Sequence, residues 1–209
     1  TREGAESSKI YMVGNILMDT LRFNHQRFAR PAVMDNLGLT EKRYIVFTLN
    51  RKAIIGNDDE LRALLVSMMS HTGDIPVVAP LRQLAADAVQ RIVNENPLLF
   101  ENLHIVEPLD YLHFGYLTAN ALGVVTDSGN VAEEATFNTV PCITLNSYTE
   151  HIETVKVGSN VLVGEDPVLL GEEMARMVDG KWKHCGIPER WDGRSAERIV
   201  QTLLDCAAK

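Results

Sequence analysis

Short runs of apolar residues alternate with longer amphipathic stretches along this sequence. Six of the runs are continuous and rich in β-branched residues, which is typical of strands that are buried on both faces. They are Tyr44 to Leu49, Ile75 to Ala79, Leu103 to Val106, Gly123 to Thr126, Cys142 to Leu145 and Asn160 to Val163. A shorter run, Ile10 to Val13, is also predicted to be a strand, which Gly14 and Asn15 end.

Stretches with apolar residues at helical spacing fall between these strands. The predicted helices are Ile16 to Arg30, Asp58 to Ser70, Gln83 to Val93, Tyr111 to Ala119, Val131 to Phe137, Glu150 to Lys156, Pro167 to Val178 and Ser195 to Ala207. Such alternation with short connections indicates an α/β fold with a doubly wound, Rossmann-like parallel sheet. No repeat and no linker-like stretch divides the chain, so we expect residues 1–209 to form a single domain.

Two consequences of this pattern bear on function. Ligands of doubly wound sheets bind outside the carboxyl ends of the strands, so the loops beginning at Asn50, Pro80, Glu107, Asp127 and Asn146 are the candidate site. The last predicted helix has an apolar stripe, made of Ile199, Val200, Leu203 and Leu204. We expect this stripe to be an exposed patch or to be covered by another chain.

Charge and composition exclude several classes of protein. The net charge is −8 and no run of Lys or Arg is present, whereas a nucleic-acid groove needs clustered cations. No segment approaches ~18 uninterrupted apolar residues, so no membrane span is expected, and the polar N-terminus lacks a signal-peptide core. These features favour the cytoplasm. The three cysteines are widely spaced, which argues against a disulfide framework and a zinc site, and we expect Cys142 and Cys206 to be buried.

The segment Thr126 to Glu134 carries the strongest chemical signal. A buried strand leads into Asp127, Ser128, Gly129 and Asn130, and a helix is predicted to begin at once. The first turn of a helix presents unpaired N–H groups and a partial positive charge, which suit a phosphate. Glu134 lies one turn beyond Asn130 and would accept hydrogen bonds from a ribose diol. The alternative is that Asp127 and Ser128 merely cap the helix, and local physics leaves both interpretations open.

The order of several motifs resembles the non-hydrolysing UDP-N-acetylglucosamine 2-epimerases. Thr126 to Glu134 is similar to their Thr-Asp-Ser-Gly-Gly-x-x-Glu-Glu motif. Val13 to Leu21 resembles Val-Gly-Asn-Thr-x-x-Asp-x-Leu, and Glu107 to Phe114 resembles a Pro-x-x-Tyr-x-x-Phe loop. Tyr148 to Asn160 resembles Thr-Thr-Glu-Arg-Pro-Glu-x-x-x-x-Gly-x-Asn. Together these pieces cover the chain from about Gly4 onward, and their order makes the combination specific.

The resemblance implies a fold and a set of roles. The chain would be the UDP-binding, C-terminal half of a two-domain enzyme with the GT-B arrangement, which converts UDP-GlcNAc to UDP-ManNAc by eliminating and re-adding UDP. Ser128, Gly129 and Asn130 would bind the diphosphate, Glu134 the ribose, and the backbone around Tyr111 to Phe114 would border the uracil. No metal and no cofactor is implied. The partners would be UDP or UDP-GlcNAc and an N-terminal epimerase domain, with a homodimer for the full-length enzyme.

Some positions depart from the family pattern. The family's Thr-x-His-Arg stands here as Thr48-Leu49-Asn50-Arg51, so an amide replaces an imidazole, while Arg51 is kept and would clamp a phosphate. Arg82 replaces a histidine near the allosteric site of many bacterial members, and Asn146 and His151 each replace an arginine.

The family's proton-moving carboxylates belong to its N-terminal domain. We therefore expect the chain to be a truncation or one half of a split enzyme, and inactive alone. The alternatives are a nucleotide-sugar binding module without epimerase activity, which Asn50 favours, and a GT-B glycosyltransferase-like domain.

Overall fold

The computed structural model describes Gly4 and residues 6–208. Its six strands are β1 (Ile45–Phe47), β2 (Val77–Pro80), β3 (Leu103–Val106), β4 (Gly123–Thr126), β5 (Cys142–Thr144) and β6 (Asn160–Leu162). Its α-helices are α1 (Ile16–Asn24), α2 (Ala32–Asn36), α3 (Lys52–Ile55), α4 (Asp58–Met69), α5 (Gln83–Glu95), α6 (Tyr111–Ala119), α7 (Gly129–Phe137), α8 (Ile152–Lys156), α9 (Pro167–Val178) and α10 (Ser195–Ala207). Short 3₁₀ turns lie at Ser7–Lys9 and His25–Arg27.

The sheet is parallel throughout and has the strand order β3-β2-β1-β4-β5-β6. Ile45 of β1 is in register with Val77 of β2 on one side and with Gly123 of β4 on the other. The chain winds outward in one direction from β1 and in the other from β4, so the topological switch point lies between these two strands. The prediction of a doubly wound, Rossmann-like fold that resembles half of a GT-B enzyme is confirmed.

The continuous apolar character of the strands follows from burial of both sheet faces. In β1 the side chains of Ile45 and Phe47 join one core cluster, while Val46 joins the other. Val124 and Val125 of β4 are divided between the clusters in the same way. Successive side chains of a strand point to opposite faces of the sheet. A strand that is covered by helices on both faces therefore has apolar residues at every position, which gives a continuous apolar run in the sequence.

One predicted strand is wrong. Ile10 to Val13 belongs to no sheet, and the side chains of Ile10, Tyr11 and Met12 are exposed. The carbonyl oxygens of Met12 and Val13 accept hydrogen bonds from the side chains of Arg190 and Arg198 instead of from a neighbouring strand. This apolar run has the composition of a strand but forms an irregular segment. Its backbone carbonyl groups are hydrogen-bonded by side chains, so they need no hydrogen bonds from a neighbouring strand.

The described residues group into two compact units. Residues 28–187 form the larger unit, which contains the whole sheet and helices α2 to α9, and residues 1–27 with 188–209 form the smaller one. The organisation as one domain over residues 1–209 stays a prediction.

Within the smaller unit, α10 leaves its apolar side uncovered. Ile199, Val200, Leu203 and Leu204 are all exposed, as expected for the stripe. Cys206 is exposed as well, with its Sγ 3.5 Å from the Tyr11 hydroxyl, so the prediction that it is buried is wrong, whereas Cys142 in β5 is fully buried. The exposed side of α10 therefore carries both the apolar stripe and Cys206.

Candidate functional site

The loops after β1 and β4 meet at the switch point. Thr48 directly follows β1, and Thr126 is the last residue of β4; their hydroxyl groups are 2.7 Å apart and hydrogen-bonded. The Thr126 hydroxyl oxygen also accepts the backbone N–H of Ser128 at 3.0 Å. Both threonines are buried. Two side chains at the carboxyl ends of β1 and β4 thus hold the start of the Asp127–Asn130 loop against the sheet, at the end of a central strand as predicted.

Asp127 organises the neighbouring loop rather than its own. Its Oδ2 accepts the backbone N–H groups of Asn50 at 2.7 Å and Arg51 at 2.5 Å. The amide group of Asn146, in the loop after β5, donates to the Asp127 carbonyl oxygen at 3.1 Å. Three loops that are far apart in sequence are therefore joined through one residue. The direct contact of Asp127 with a nucleotide stays a prediction.

Ser128 occupies the N-cap position of α7, but its side chain makes no capping hydrogen bond. The alternative in which this serine merely caps the helix is therefore not realised. The helix begins at Gly129, two residues before the predicted start at Val131, and ends at Phe137 as predicted. The N–H groups of a first helical turn have no acceptor within the helix, so α7 presents free donors at the switch point beside an unused serine hydroxyl.

Glu134 is buried behind this helix start. Its side chain belongs to α7, only 8% of the residue is exposed, and no described residue hydrogen-bonds its carboxyl group. Burial, and then the neighbouring Glu133 carboxylate, raise the pKa of Glu134 to about 7. Carboxyl groups in such surroundings are stabilised by hydrogen-bond donors, which the structure itself does not supply.

Tyr111 and Phe114 lie on α6, which follows β3. Asp110 caps this helix by accepting the N–H of His113 at 3.0 Å. Tyr111 is partly exposed and packs edge-on against Phe28, with the ring centroids 6.1 Å apart. Its pKa is raised, first by burial and then by Glu134, which indicates that the phenol lies near that carboxyl group. Phe114 is partly buried and packs against the second core cluster.

Arg51 reaches across the edge of the sheet. Its Nη1 donates to Oε1 of Glu165, in the loop after β6, at 2.5 Å and to the carbonyl oxygen of Leu145 at 3.4 Å. The guanidinium group is therefore held over the ends of β5 and β6, while the exposed Asn50 side chain precedes it. This placement was not predicted, since residue 165 is 114 positions from Arg51.

A second pair at the site was also missed by the sequence reasoning. The Nδ1 atom of His151 is 3.1 Å from Oε1 of Glu133, a buried residue of α7. The other edge of the imidazole lies against Gly129, where a Cβ atom would stand 3.1 Å from Cδ2. The only signal in the sequence was the replacement of the family's arginine by His151.

Two further features are absent from the described residues, which are Gly4 and residues 6–208. Among those residues no cluster of three His, Cys, Asp or Glu side chains is arranged to hold a metal ion. Within the same residues no helix is both long and apolar enough to cross a membrane.

The fold defines a Rossmann-like α/β protein whose open helix start lies at the switch point of the sheet. The family model for UDP-N-acetylglucosamine 2-epimerase matches residues 1–204, and the chain belongs to this family. This confirms the resemblance drawn from the motifs.

Individual relatives agree with that assignment. The chain is 33% identical to the UDP-N-acetylglucosamine 2-epimerase of Methanocaldococcus jannaschii, over 97% of this chain and 56% of the relative. It is 34% identical to the UDP-2,3-diacetamido-2,3-dideoxy-D-glucuronate 2-epimerase of Pseudomonas aeruginosa, over 96% and 55%. The crystal structure of the M. jannaschii enzyme in complex with UDP-GlcNAc and UDP superimposes with a TM-score of 0.75 and 30% identity, over 96% of this chain and 57% of that one. The chain thus spans about half the length of these relatives.

Proposed function

We propose that this chain is the UDP-binding half of a UDP-N-acetylglucosamine 2-epimerase, which interconverts UDP-GlcNAc and UDP-ManNAc. The observation that carries the proposal is the start of α7, where Ser128 sits at the N-cap without capping the helix. A helix start with free N–H groups and an adjacent hydroxyl at the switch point suits a diphosphate. Membership of the epimerase family supports UDP as the nucleotide.

The remaining site residues take roles that fit their surroundings. Gly129 and Asn130 present the backbone of the first turn of α7 to the diphosphate. Glu134 accepts the ribose hydroxyl groups, which supply the donors that its buried carboxyl group lacks. The backbone from Tyr111 to Phe114 borders the uracil, and the electrostatic influence of Glu134 on the Tyr111 phenol supports the closeness of these two subsites.

Arg51 supplies positive charge to the departing diphosphate. Its guanidinium group now pairs with Glu165, and both side chains remain partly exposed, so a phosphate can share or replace this partner. In the proposed reaction UDP leaves C1 as the C2 proton is removed, and UDP then returns after protonation on the other face. The domain stabilises the leaving diphosphate by oriented backbone dipoles and Arg51, which is the electrostatic part of catalysis. The residues that move the C2 proton belong to the proposed N-terminal partner domain.

A second candidate is a nucleotide-sugar binding module without epimerase activity. Asn50 favours it, because an amide stands where the family has a histidine and carries no titratable proton near neutral pH. The binding site is the same in both proposals, and only turnover separates them. The order of the motifs argues against the glycosyltransferase alternative.

The test of the proposed site is calorimetric titration of the chain with UDP. Ser128→Ala and Glu134→Ala should each weaken binding by about 10- to 100-fold, since a hydrogen bond to a charged group contributes about 1.5–3 kcal/mol. Glu101→Ala, an exposed residue just before β3 at the opposite edge of the sheet, is the matched control and should bind as the wild type does. Unchanged affinity in Glu134→Ala would remove the ribose role, and no UDP binding by the wild type would remove the proposed site.

A further inference from the structure

The side chain of Arg51 crosses the end of the strand that leads into the proposed diphosphate site. Its backbone follows β1, whereas its Nη1 donates to the carbonyl oxygen of Leu145, after β5, and to Oε1 of Glu165, after β6. The strand order β1-β4-β5-β6 places β4 between these points. Neighbouring strands lie about 4.8 Å apart, so a side chain that spans from β1 to β5 passes the carboxyl end of β4. Ser128 and the start of α7 follow β4 at this end.

The guanidinium group of Arg51 is held through one of its three nitrogen atoms. Within the described part of the chain, both of its side-chain hydrogen bonds come from Nη1, at 2.5 Å to Glu165 and at 3.4 Å to Leu145. The bond to the Glu165 carboxylate is the shorter and is charge-assisted, so it is the stronger of the two. Nη2 and Nε form the other edge of the planar group, and two parallel N–H donors of this kind bind a phosphate bidentately.

The backbone of Glu165 is fixed on both sides. Before it, Gly164 has a φ of +63°, and its N–H donates to the carbonyl oxygen of Asn146 at 3.2 Å. After it, Asp166 is the N-cap of α9 and accepts the N–H of Val168 at 2.8 Å. Glu165 thus lies between a left-handed glycine and a capped helix start, so its carboxylate extends from a defined position.

A second carboxyl group supports that of Glu165. Glu60 lies in the first turn of α4, where the side chain of Asn57 donates to its Oε2 at 3.0 Å and accepts its N–H at 3.3 Å. The pKa of Glu60 is raised, first by a hydrogen bond with the Glu165 side chain. Such a bond needs a proton on one of the two carboxyl groups, and the raised pKa assigns it to Glu60. Glu165 then accepts hydrogen bonds from both Glu60 and Arg51.

We propose that Glu165 is the positioning residue of Arg51, which holds the guanidinium group across the end of β4 with its Nη2–Nε edge available to the diphosphate. This inference rests on the proposed function, and the phosphate then shares Arg51 with Glu165 and does not replace it. If Glu165 instead competed with the diphosphate for Arg51, the effect of its removal would have the opposite sign. Loss of a competing carboxylate strengthens UDP binding, whereas loss of a positioning one weakens it.

The experiment titrates the wild type and its variants with UDP and with uridine, following amide resonances by NMR. Glu165→Ala should lower the affinity for UDP by about 5-fold, the contribution of a partly exposed ion pair, and leave that for uridine unchanged. Glu165→Gln keeps an oxygen atom that accepts from Nη1 and should bind UDP at least as tightly as the wild type. When Arg51 is already replaced by alanine, Glu165→Ala should have no further effect on UDP affinity, because the two residues act together.

Asp179→Ala is the matched control. Asp179 is the acidic member of another exposed ion pair, with Lys181 beyond the C-terminal end of α9, so this variant should bind UDP as the wild type does.

The contrary results are also distinct. Tighter UDP binding by both Glu165→Ala and Glu165→Gln would show competition and overturn the inference. An equal loss of UDP and uridine affinity in Glu165→Ala, or a loss that persists without Arg51, would overturn it too. Unchanged UDP affinity in Glu165→Ala would do the same, even where Ser128→Ala weakens binding and the proposed function stands. Absence of UDP binding by the wild-type chain would overturn both.

Discussion

Glu134 and Glu133 are adjacent in sequence, and both are buried, yet their surroundings differ. The Glu133 carboxylate lies 3.1 Å from Nδ1 of His151, whereas no described residue hydrogen-bonds the carboxyl group of Glu134. A buried carboxyl group without donors is costly to ionise, and the pKa of Glu134 rises to about 7 as a result. The burial that supports the proposed ribose role of Glu134 therefore also makes ionisation of this carboxyl group destabilising for the fold.

The pH dependence of stability follows from that pKa. The pKa of Glu134 is raised in the fold from an ordinary value of 4.5, so the folded state favours the neutral carboxyl group. Its contribution to stability is present below about pH 4.5 and is lost as the pH rises through 7. We expect Glu134→Gln, which stays neutral, to gain about 2–3 kcal/mol relative to the wild type between pH 5 and pH 8.

Urea unfolding followed by circular dichroism at several pH values in this range measures the difference. Glu153→Gln is the matched control, because Glu153 is an exposed residue of α8. Its stability should run parallel to that of the wild type. If the difference in unfolding free energy between Glu134→Gln and the wild type stayed constant across these pH values, ionisation of Glu134 would not destabilise the fold.

The carboxylate of Asp127 accepts hydrogen bonds from backbone N–H groups and not from a side chain, so its removal should affect the loop that carries those groups. Asp127→Ala removes the acceptor of the N–H groups of Asn50 and Arg51. We expect a loss of about 1–3 kcal/mol in the free energy of unfolding. Hydrogen exchange at the amides of Asn50 and Arg51 should become faster. Asp87→Ala, on the exposed side of α5, should change neither quantity, and unaltered protection at both amides would contradict the proposed loop anchor.

The elements of the sheet were predictable to a large extent, for a physical reason. All six strands were predicted because burial on both faces leaves a continuous apolar run, and β3 and β4 even have the predicted bounds. Composition alone did not distinguish the run Ile10 to Val13 from a true strand. Whether a run pairs with a neighbouring strand depends on the whole fold and not on the residues of the run. The four-residue helix α3 was missed because it is too short to show a helical period.

The candidate site was predictable only where it lies within one loop. The motif from Thr126 to Glu134 placed α7 and its open N-terminus correctly. The contacts of Asp127 with the loop after β1, of Arg51 with Glu165, and of Glu133 with His151 depend on loops that approach one another only in the fold. No periodicity in the sequence encodes them.

Helix α10 shows the same dependence on a distant partner. It has no capping side chain of its own, because Arg194 is at its N-cap. Instead, the carboxylate of Asp19 in α1 accepts the backbone N–H groups of Ser195 at 2.9 Å and Ala196 at 2.8 Å. The segment Val13 to Leu21, which resembles a family motif, therefore includes a structural cap for the last helix.

Asp19→Ala should therefore destabilise α10. Loss of a capping side chain costs about 0.5–2 kcal/mol, and the effect should be concentrated in the first turn of the helix. Hydrogen exchange of the α10 amides measures it directly. Asp205→Ala removes an exposed carboxylate from the same helix and should leave those amides unchanged. Equal protection of α10 in Asp19→Ala and the wild type would mean that the cap does not stabilise the helix.

The proposed nucleotide site lies at the carboxyl ends of the strands of a doubly wound sheet, and the apolar stripe on α10 is exposed. The relatives that it matches are nearly twice as long. In the proposed function the nucleotide half and the proton-moving half are separate bodies, so binding and turnover should be separable in experiments. The proposed binding site needs only residues of this chain.

We accordingly predict that this polypeptide binds UDP but does not interconvert UDP-GlcNAc and UDP-ManNAc. Two proposed deficits account for this, namely proton-moving carboxylates supplied by a separate N-terminal domain and Asn50 in place of an ionisable imidazole. An epimerase N-terminal domain, fused or added separately, tests the first, and Asn50→His in that complex tests the second. NMR detection of C2 proton exchange with solvent measures turnover.

Each outcome of this complementation assigns the function. Turnover with Asn50 in place shows that the family's histidine serves for positioning, which an amide also achieves. Turnover only with Asn50→His indicates a chain that has kept its nucleotide site but lost epimerase chemistry. No turnover in either complex, with UDP still bound, favours the nucleotide-sugar binding module. Exchange of the C2 proton catalysed by this chain alone would contradict the proposed separation of nucleotide binding from proton transfer. It would require proton-moving groups among residues that the proposed site does not use.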